Sequence, residues 1–385
     1  MPEKSSYGFE SIRVLLAGGG SGGHTYPLLA VAERLRKIAA EERVNLGLDY
    51  LGPKDVWAKA LLPAHVNLKT IVSSKFRRYF SIENLLDIPK FFIGLLEAFF
   101  KVYFIMPDVI FSKGGTGALP VVIAGWFYKI PIIIHESDAA PGLTNSISSR
   151  FASRIAVSFP KTLEYFSPDK TALVGTPVRE SVITEIPDKA TAKKSFGFDP
   201  AKPLILIMGG SQGAQRINEF VIANLPALLK ETQILHQTGE ANYAKVEYLS
   251  RTVSGEEPAK NVKKSYVPVP YFREEMKTAL AAADVVISRS GSGTIAEISA
   301  LGKPSILIPL KESANDHQRL NAYEYAKTGA AIVIEEANLL PAILINQISL
   351  IIEKSDISKK MSLAASGLWK PDAAETISRE ILRLG

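Results

Sequence analysis

The chain has 385 residues, 46% of them hydrophobic, with a formal net charge of +6 and a pI near 9.1. That length suits two or three domains, and the modest positive excess suits an anionic ligand or a membrane surface better than nucleic acid, which is not expected as a partner. The absence of cysteine excludes disulfides and thiol chemistry.

The start, MPEKSSYGFE, runs directly into an apolar strand without the apolar segment and cleavage site of a signal peptide, so a cytoplasmic protein is expected. Ile12 to Ala17 reads as a strand and Gly18 to His24 as a loop. Leu28, Leu29, Ala32, Leu35 and Ile38 then recur at helical spacing. Leu46 to Leu51 is a second strand. Gly18, Gly20 and Gly23 match G-x-G-x-x-G, whose first suggestion is a dinucleotide fold. That reading needs an acidic residue ending the second strand. Leu51-Gly52-Pro53 stands there and Asp49 lies inside the strand, so NAD and FAD are disfavoured.

Phe91 to Met106 is the most apolar stretch, interrupted by Glu97 and Lys101 and too short for a convincing transmembrane span. Lys75, Arg77 and Arg78 precede it. A core helix with charged ends and an interface with anionic lipid both fit this pattern. Val109-Ile110-Phe111 leads into the turn Ser112 to Gly117, and Ile132 to Ile134 ends at His135-Glu136. Ile155 to Val157 and Ala172 to Val174 are further strands. Gly175 to Pro203 reads as an interdomain connection.

The pattern then restarts. Leu204 to Met208 is a strand, Gly209 to Ala214 a glycine turn, and a helix runs from Asn218. Ile234 to His236 and Lys264 to Val267 look like strands. Val285 to Ile287 is a buried strand breaking into Ser288-Arg289-Ser290-Gly291-Ser292-Gly293, with Thr294 opening a helix and Glu297 one turn in. A polar loop later ends in Gln318 and Asn321. Strands alternating with helices make an α/β chain: two similar doubly wound, Rossmann-like parallel sheets. Ligands of such sheets bind beyond the carboxyl ends of the strands, so the glycine turns of both halves should face one cleft. The final helix, 372–384, could pack on either half.

Strand, Gly/Ser loop and helix N-terminus make an anion site, because free backbone N–H groups and the helix dipole point the same way. Glu297 then sits where a carboxylate can accept hydrogen bonds from sugar hydroxyls, although a solvated helix residue is the ordinary role of a glutamate. Ser211 and Gln212 read as a helix cap or as part of a diphosphate site. Arg179 reads as a surface arginine or as positive charge for that site. His24, at a loop-to-helix junction, suits a general base or an orienting group. His135 and Glu136 suit the same edge or an internal hydrogen bond. No Asp-x-Asp and no His cluster has metal-ligand spacing, so no protein-bound metal or other cofactor is expected.

These motifs, in order, are GGGSGGHTYPLLAVAERL, SKGGTGALP, HESDAAPGLTN, VGTPVR, GGSQGAQRIN, SRSGSGTIAEISALGKPSILIP and DHQRLNA. With them the chain resembles the MurG family, the undecaprenyl-diphospho-muramoylpentapeptide β-N-acetylglucosaminyltransferases of bacterial cell-wall synthesis. The resemblance implies a GT-B fold. Residues 1–175 would form an acceptor-binding, membrane-associated domain, and 176–385 a UDP-GlcNAc-binding domain. It implies inverting transfer of GlcNAc from UDP-GlcNAc to the C4 hydroxyl of a polyprenyl-diphosphate-linked muramoyl-peptide, at the cytoplasmic face of the membrane and beside anionic lipids. A transferase with another lipid acceptor, such as diacylglycerol, and a non-catalytic UDP-sugar-binding regulator are the alternatives.

By position, the resemblance makes His24 the catalytic histidine and Glu297 the ribose carboxylate. Arg179, Ser211 and Gln212 fall near the donor diphosphate, as do Gly291, Gly293 and Thr294. Phe272 and Arg273 fall where the backbone reads uracil. His317, Gln318 and Asn321 fall beside the donor sugar. Ser21, Gly22, Gly23, Gly114, Gly115 and Thr116 line the acceptor diphosphate loops, with His135, Glu136 and Asn145 beside them. Ser137, Asp138 and His317 depart from the family's common residues.

Overall fold

The computed structural model describes residues 11–74, 82–210, 213–254 and 265–385, with backbone alone at 82–86 and 253–254. The chain divides into two compact units, 1–179 with 370–385, and 180–369.

The first unit is a seven-stranded parallel sheet, β1 (Ser11–Ala17), β2 (Asn45–Gly52), β3 (Asn67–Thr70), β4 (Val109–Ser112), β5 (Ile132–Glu136), β6 (Arg154–Val157) and β7 (Thr171–Leu173), in the order β3-β2-β1-β4-β5-β6-β7. Central strands such as β4 and β5 are buried along their whole length, covered on both faces, which is why they read as apolar runs. Side chains alternate across a strand. Val14, Leu16, Val109, Phe111 and Ile133 enter one core, with Leu28 and Leu35 of the helix Gly22–Glu42 and Ile377 and Ile381 of the helix Ala373–Leu384. Leu15, Ala17, Ile110, Ile132 and Ile134 enter the other, with Ala98 and Val102 of the helix Ile82–Ile105 and Val121 and Val122 of the helix Ala118–Phe127.

The final helix thus belongs to the first unit. Ion pairs flank it, among them Arg34 with Glu375, and Arg154 with Glu380 at 2.9 Å. Such partly exposed pairs contribute at most about 1 kcal/mol each. Fully burying Ile377 and Ile381 is worth about 1.5–3 kcal/mol apiece, so the apolar stripe holds the helix.

The second unit is a six-stranded parallel sheet, β8 (Leu204–Met208), β9 (Gln233–Gln237), β10 (Tyr266–Val269), β11 (Val285–Ser288), β12 (Ser305–Leu307) and β13 (Ala331–Val333), in the order β10-β9-β8-β11-β12-β13. Ile205, Ile207, Val285, Ile287 and Ile306 build its core with Ile217, Val221, Leu344 and Ile348.

The stretch read as an interdomain connection is mostly structured. Helices Glu180–Ile183 and Lys189–Ser195 pack on the helix Met276–Ala282 inside the second unit. Buried Lys193 donates to Asp284 at 2.7 Å and to the Lys202 carbonyl at 2.7 Å. Asp284 also accepts from Lys189 and the Leu204 amide, and these donors hold its carboxyl below the usual range against its burial. The crossing itself is short, at Arg179–Glu180 outward and Trp369–Lys370 on return.

The helix Ile82–Ile105 presents Phe92, Leu96, Phe100 and Phe104 to the outside, 58%, 61%, 66% and 79% exposed. Four-residue spacing stacks them in one stripe. Trp126 and Phe127, also exposed, continue the patch, and Phe127 meets Phe99 edge-on at 5.1 Å. No helix among the described residues is long and apolar enough to cross a membrane.

Candidate active site

In each sheet the direction of winding reverses once, between β1 and β4 and between β8 and β11. Loops leaving the carboxyl ends of those strands diverge there and open a crevice.

In the first unit the loops are Gly18–Ser21 after β1 and Lys113–Gly117 after β4. They interlock so tightly that side chains are excluded. A Cβ on Gly115 would lie 2.5 Å from the Gly19 carbonyl oxygen and 2.8 Å from the His24 ring. One on Gly20 would lie 2.6 Å from the Thr116 hydroxyl. Gly19, Gly20, Gly114, Gly115 and Gly117 all have positive φ, which glycine adopts without cost. The helix Gly22–Glu42 opens with Ser21 as N-cap, so Gly22, Gly23 and His24 form its first turn. The amides of His24 and Thr25 are engaged by the Ser21 carbonyl at 3.2 Å. Asp55 accepts from the Gly20 amide at 2.7 Å and braces the turn.

Behind these loops lies a buried polar cluster. Glu136 accepts from the amides of Asp138 and Gly142 and from Asn145 Nδ2, each at 3.0 Å. Burial and nearby Asp138 push its carboxyl above the usual range, and Lys113 opposes them. His135 Nε2 donates to the Gly175 carbonyl at 2.9 Å. Burial first, and Lys113 second, lower the imidazole to about 3, so it is neutral at pH 7. Asn145 Nδ2 also donates to the His135 carbonyl at 3.1 Å. Asn145 Oδ1 is buried without a protein donor and points at Gly114, 2.7 Å from where a Cβ would be. Lys113, 1% exposed, donates to Ser137 Oγ at 2.9 Å.

In the second unit the glycines stand differently. The helix Ser292–Ala300 has Gly291 as N-cap with φ −64°, and glycine brings no side chain of its own to cap it. It begins two residues before Thr294, which places Gly293 in the first turn. A Cβ on Gly291, Gly293 or Gly210 would meet nothing within 4 Å. Glu297 is half-buried on this helix. Arg289, below the loop, donates to the Ile308 carbonyl at 3.1 Å and pairs with Glu336. Asn321 Nδ2 donates to the Ser290 carbonyl at 3.2 Å, and Ser290 Oγ donates to the Gln318 carbonyl at 2.7 Å. Gln318 Oε1 accepts from the Leu310 amide at 3.0 Å. The Phe272 amide donates to Gln237 Oε1 at 3.1 Å, while its ring is buried edge-on to Phe196.

The chain matches the glycosyltransferase family 28 N-terminal domain over residues 14–157 and the C-terminal domain over 204–377. It is 35% identical over 346 residues to a UDP-N-acetylglucosamine–N-acetylmuramyl-(pentapeptide) pyrophosphoryl-undecaprenol N-acetylglucosamine transferase of Clostridium tetani, covering 89% of this chain and 91% of the relative. A transferase of the same name from Thermodesulfovibrio yellowstonii is 36% identical, over 95% and 97% of the two chains. The chain belongs to glycosyltransferase family 28. A crystal structure of Acinetobacter baumannii MurG is similar with a TM-score of 0.73 and 25% identity, over 97% and 99% of the two chains. The fold of this family 28 enzyme is GT-B.

Within the family 28 framework, the structure gathers Ser21, Gly22, Gly23, His24, Gly114, Gly115 and Thr116 at the first switch point, with His135, Glu136 and Asn145 in the cluster behind. It gathers Gly291, Gly293, Thr294 and Glu297 at the second, with Gln318 and Asn321 bracing the loop. Phe272 lies just beyond β10, its amide held by Gln237. Arg273 is exposed and reaches Glu240 at 3.5 Å. His317 is partly exposed, with Nδ1 on the Ala314 carbonyl at 2.6 Å. Ser211 and Gln212 lie outside the described residues, as do Lys75, Arg77 and Arg78. Arg179 is buried in the first unit, its guanidinium 4.0 Å above the Tyr26 ring, rather than on the surface. Sequence reading missed Lys113, Asp55 and Arg289. Lys113 and Arg289 each sit at the start of a Gly-rich turn, and that adjacency was the available signal; Asp55, in the turn after β2, had no such marker.

Proposed function

We propose that the chain transfers GlcNAc from UDP-GlcNAc to the C4 hydroxyl of a polyprenyl-diphosphate-linked muramoyl-pentapeptide, with inversion at the anomeric carbon. Similarity along nearly the whole chain, at 35% and 36% identity, to transferases named for that acceptor carries this reading, and the two glycine-turn sites support it. The second unit takes the donor. UDP lies on the amides opening Ser292–Ala300, in the space that Gly291 and Gly293 leave vacant, and Glu297 accepts from the ribose hydroxyls. The first unit takes the acceptor diphosphate on its interlocked turns. His24 takes the proton from the acceptor hydroxyl as it attacks opposite UDP. Helix N-termini and side chains stabilise the leaving diphosphate, without a protein-held metal.

The acceptor's chain stays in the bilayer, so the first unit must come to it. The exposed stripe Phe92, Leu96, Phe100 and Phe104, with Trp126 and Phe127, suits entry into the headgroup boundary of the cytoplasmic leaflet. Lys90 and Lys101 are paired with Asp87 and Glu97, at 3.1 and 3.4 Å. Attraction to anionic lipid therefore falls chiefly to Lys75, Arg77 and Arg78.

The test supplies labelled UDP-GlcNAc with either the muramoyl-peptide lipid or diacylglycerol, in EDTA. Transfer to the first alone is expected. Transfer to diacylglycerol instead, or UDP-GlcNAc binding without turnover, refutes the reading. Phe100→Asp with Phe104→Asp should abolish flotation with phosphatidylglycerol vesicles and spare a short-chain soluble acceptor.

A further inference from the structure

We propose that Glu336 is a positioning residue for donor binding: its carboxylate joins Arg289 to Arg216 and so fixes the loops from which the second unit's anion site is built. The proposal rests on the donor reading above.

In the second sheet β8, β11, β12 and β13 are consecutive neighbours. Each strand sends a loop or helix beyond its carboxyl end, and Glu336 ties all four together. It opens the short helix Glu336–Asn338 beyond β13. Its Oε1 accepts from Arg289, the first residue beyond β11. Its Oε2 accepts from Arg216 at 2.5 Å, in the first turn of the helix Gln215–Ala223 that follows β8. The loop after β12 is held from both arginines. Arg289 donates to the Ile308 and Pro309 carbonyls at 3.1 and 3.3 Å, and Arg216 pairs with Glu312 at 2.9 Å.

The four charges alternate in sign along Arg289, Glu336, Arg216 and Glu312. The inner pair is buried, with side chains 8% and 9% exposed, while Arg216 and Glu312 stand in solvent. Removing one member of a buried pair leaves the other uncompensated, which is costly. An exposed pair contributes little on its own. The inner pair is therefore the fixed joint, and the outer two residues extend it. A cation in the first turn of a helix opposes the helix dipole. The helix itself thus does not favour the guanidinium of Arg216 there, and the two carboxylates hold it.

A carboxylate suits this joint because each of its oxygens faces a guanidinium. Glutamine, of the same shape, has one acceptor oxygen and would turn an NH₂ group toward the other arginine. The consequence falls on the donor. Arg289 stands two residues before Gly291, the N-cap of Ser292–Ala300, so holding it sets where the amides opening that helix lie. A loop that is already fixed loses little freedom when a ligand lands on it.

The test is calorimetric titration of UDP-GlcNAc into the full chain, with Tm measured alongside. Removing a negative charge from this unit would by itself favour an anionic donor. Losing the joint acts the opposite way, so the sign of the change separates the two effects. Glu336→Gln should raise the dissociation constant about tenfold, the size of one lost charged hydrogen bond. A merely structural glutamate would lower Tm and the fraction of protein that binds, but leave the dissociation constant of that fraction alone. An unchanged or tighter constant therefore overturns the proposal. In turnover assays the KM for the muramoyl-peptide lipid should stay put. An equal rise in both KM values means general loosening and also overturns it. Should Glu336→Gln fail to fold, the exposed end of the network decides. Glu312→Gln costs little stability, and it should weaken donor binding about two- to threefold by freeing Arg216; an unchanged or tighter constant there sinks the proposal. Wild type that binds UDP-GlcNAc beside a variant that keeps its constant refutes the role of Glu336 alone. Wild type that does not bind UDP-GlcNAc refutes the donor reading with it.

Discussion

The two units use glycine at their switch points for different reasons. In the first, Gly20 and Gly115 have positive φ, and added Cβ atoms would strike Thr116, Gly19 or His24 at 2.5–2.8 Å. Those glycines serve the protein, letting two loops interlock into a rigid cradle. In the second, Gly291 has an ordinary negative φ, and neither it nor Gly293 has a neighbour within 4 Å of an added Cβ. Neither the backbone nor packing demands glycine there. What glycine leaves at these positions is room for something outside the chain to touch the backbone. A glycine required by the fold and a glycine required by a ligand look identical in sequence, and the space around a hypothetical Cβ separates them.

The sharpest way to break this comparison is Gly115→Ala. Left-handed backbone costs about 1–2 kcal/mol, and overpacking about 1–3 kcal/mol more. Urea melts should show a loss of that combined size, and unchanged stability would end the claim that the first cradle is sterically locked. His24→Ala, beside that glycine, should lower kcat roughly 10²-fold while donor affinity stays put. Lost donor affinity with intact turnover would put His24 on the wrong substrate. Glu297→Ala should weaken UDP-GlcNAc binding by about 1–3 kcal/mol in calorimetric titration, and an unchanged dissociation constant removes the ribose assignment. The smallest effect is expected at Gly293→Ala. Stability should hold or rise by up to about 1 kcal/mol, since alanine suits a helix better than glycine. Donor binding should weaken by about 1 kcal/mol from crowding. A destabilised variant with normal donor binding would reverse the contrast.

The strands and glycine turns were legible because each is local: an apolar run stops where small residues begin, as at Phe111-Ser112 or Ile287-Ser288. The sheets followed from alternation. What was not legible depended on distant partners. Lys189 and Lys193 looked like linker charge until Asp284, far along the chain, supplied their counter-ion. Lys113 looked like a polar turn residue, and nothing local says that its ammonium turns inward to Ser137. Arg179 finds its partner in Tyr26 at the other end of the first unit's sequence. The Phe91 to Met106 stretch fitted both a core helix and an interface, because periodicity shows that two faces exist and not what covers them. The helix start at Ser292 rather than Thr294 is a smaller miss: serine and glycine have poor helix propensity, and β11 ends too close by for propensity to decide.

The return of the final helix to the first unit has a consequence for how the chain is made. Leu28, Leu35 and Val109 lie in the core that Ile377 and Ile381 complete. These strands and helices leave the ribosome early, but their closing element emerges only after residues 180–369. At roughly 5–20 residues per second, synthesis of that second unit alone takes about 10–40 s. During that interval the nascent first unit lacks the helix that closes its apolar core. The order of closure is the reverse of the order of synthesis, so the half that is translated first is the last to be sealed.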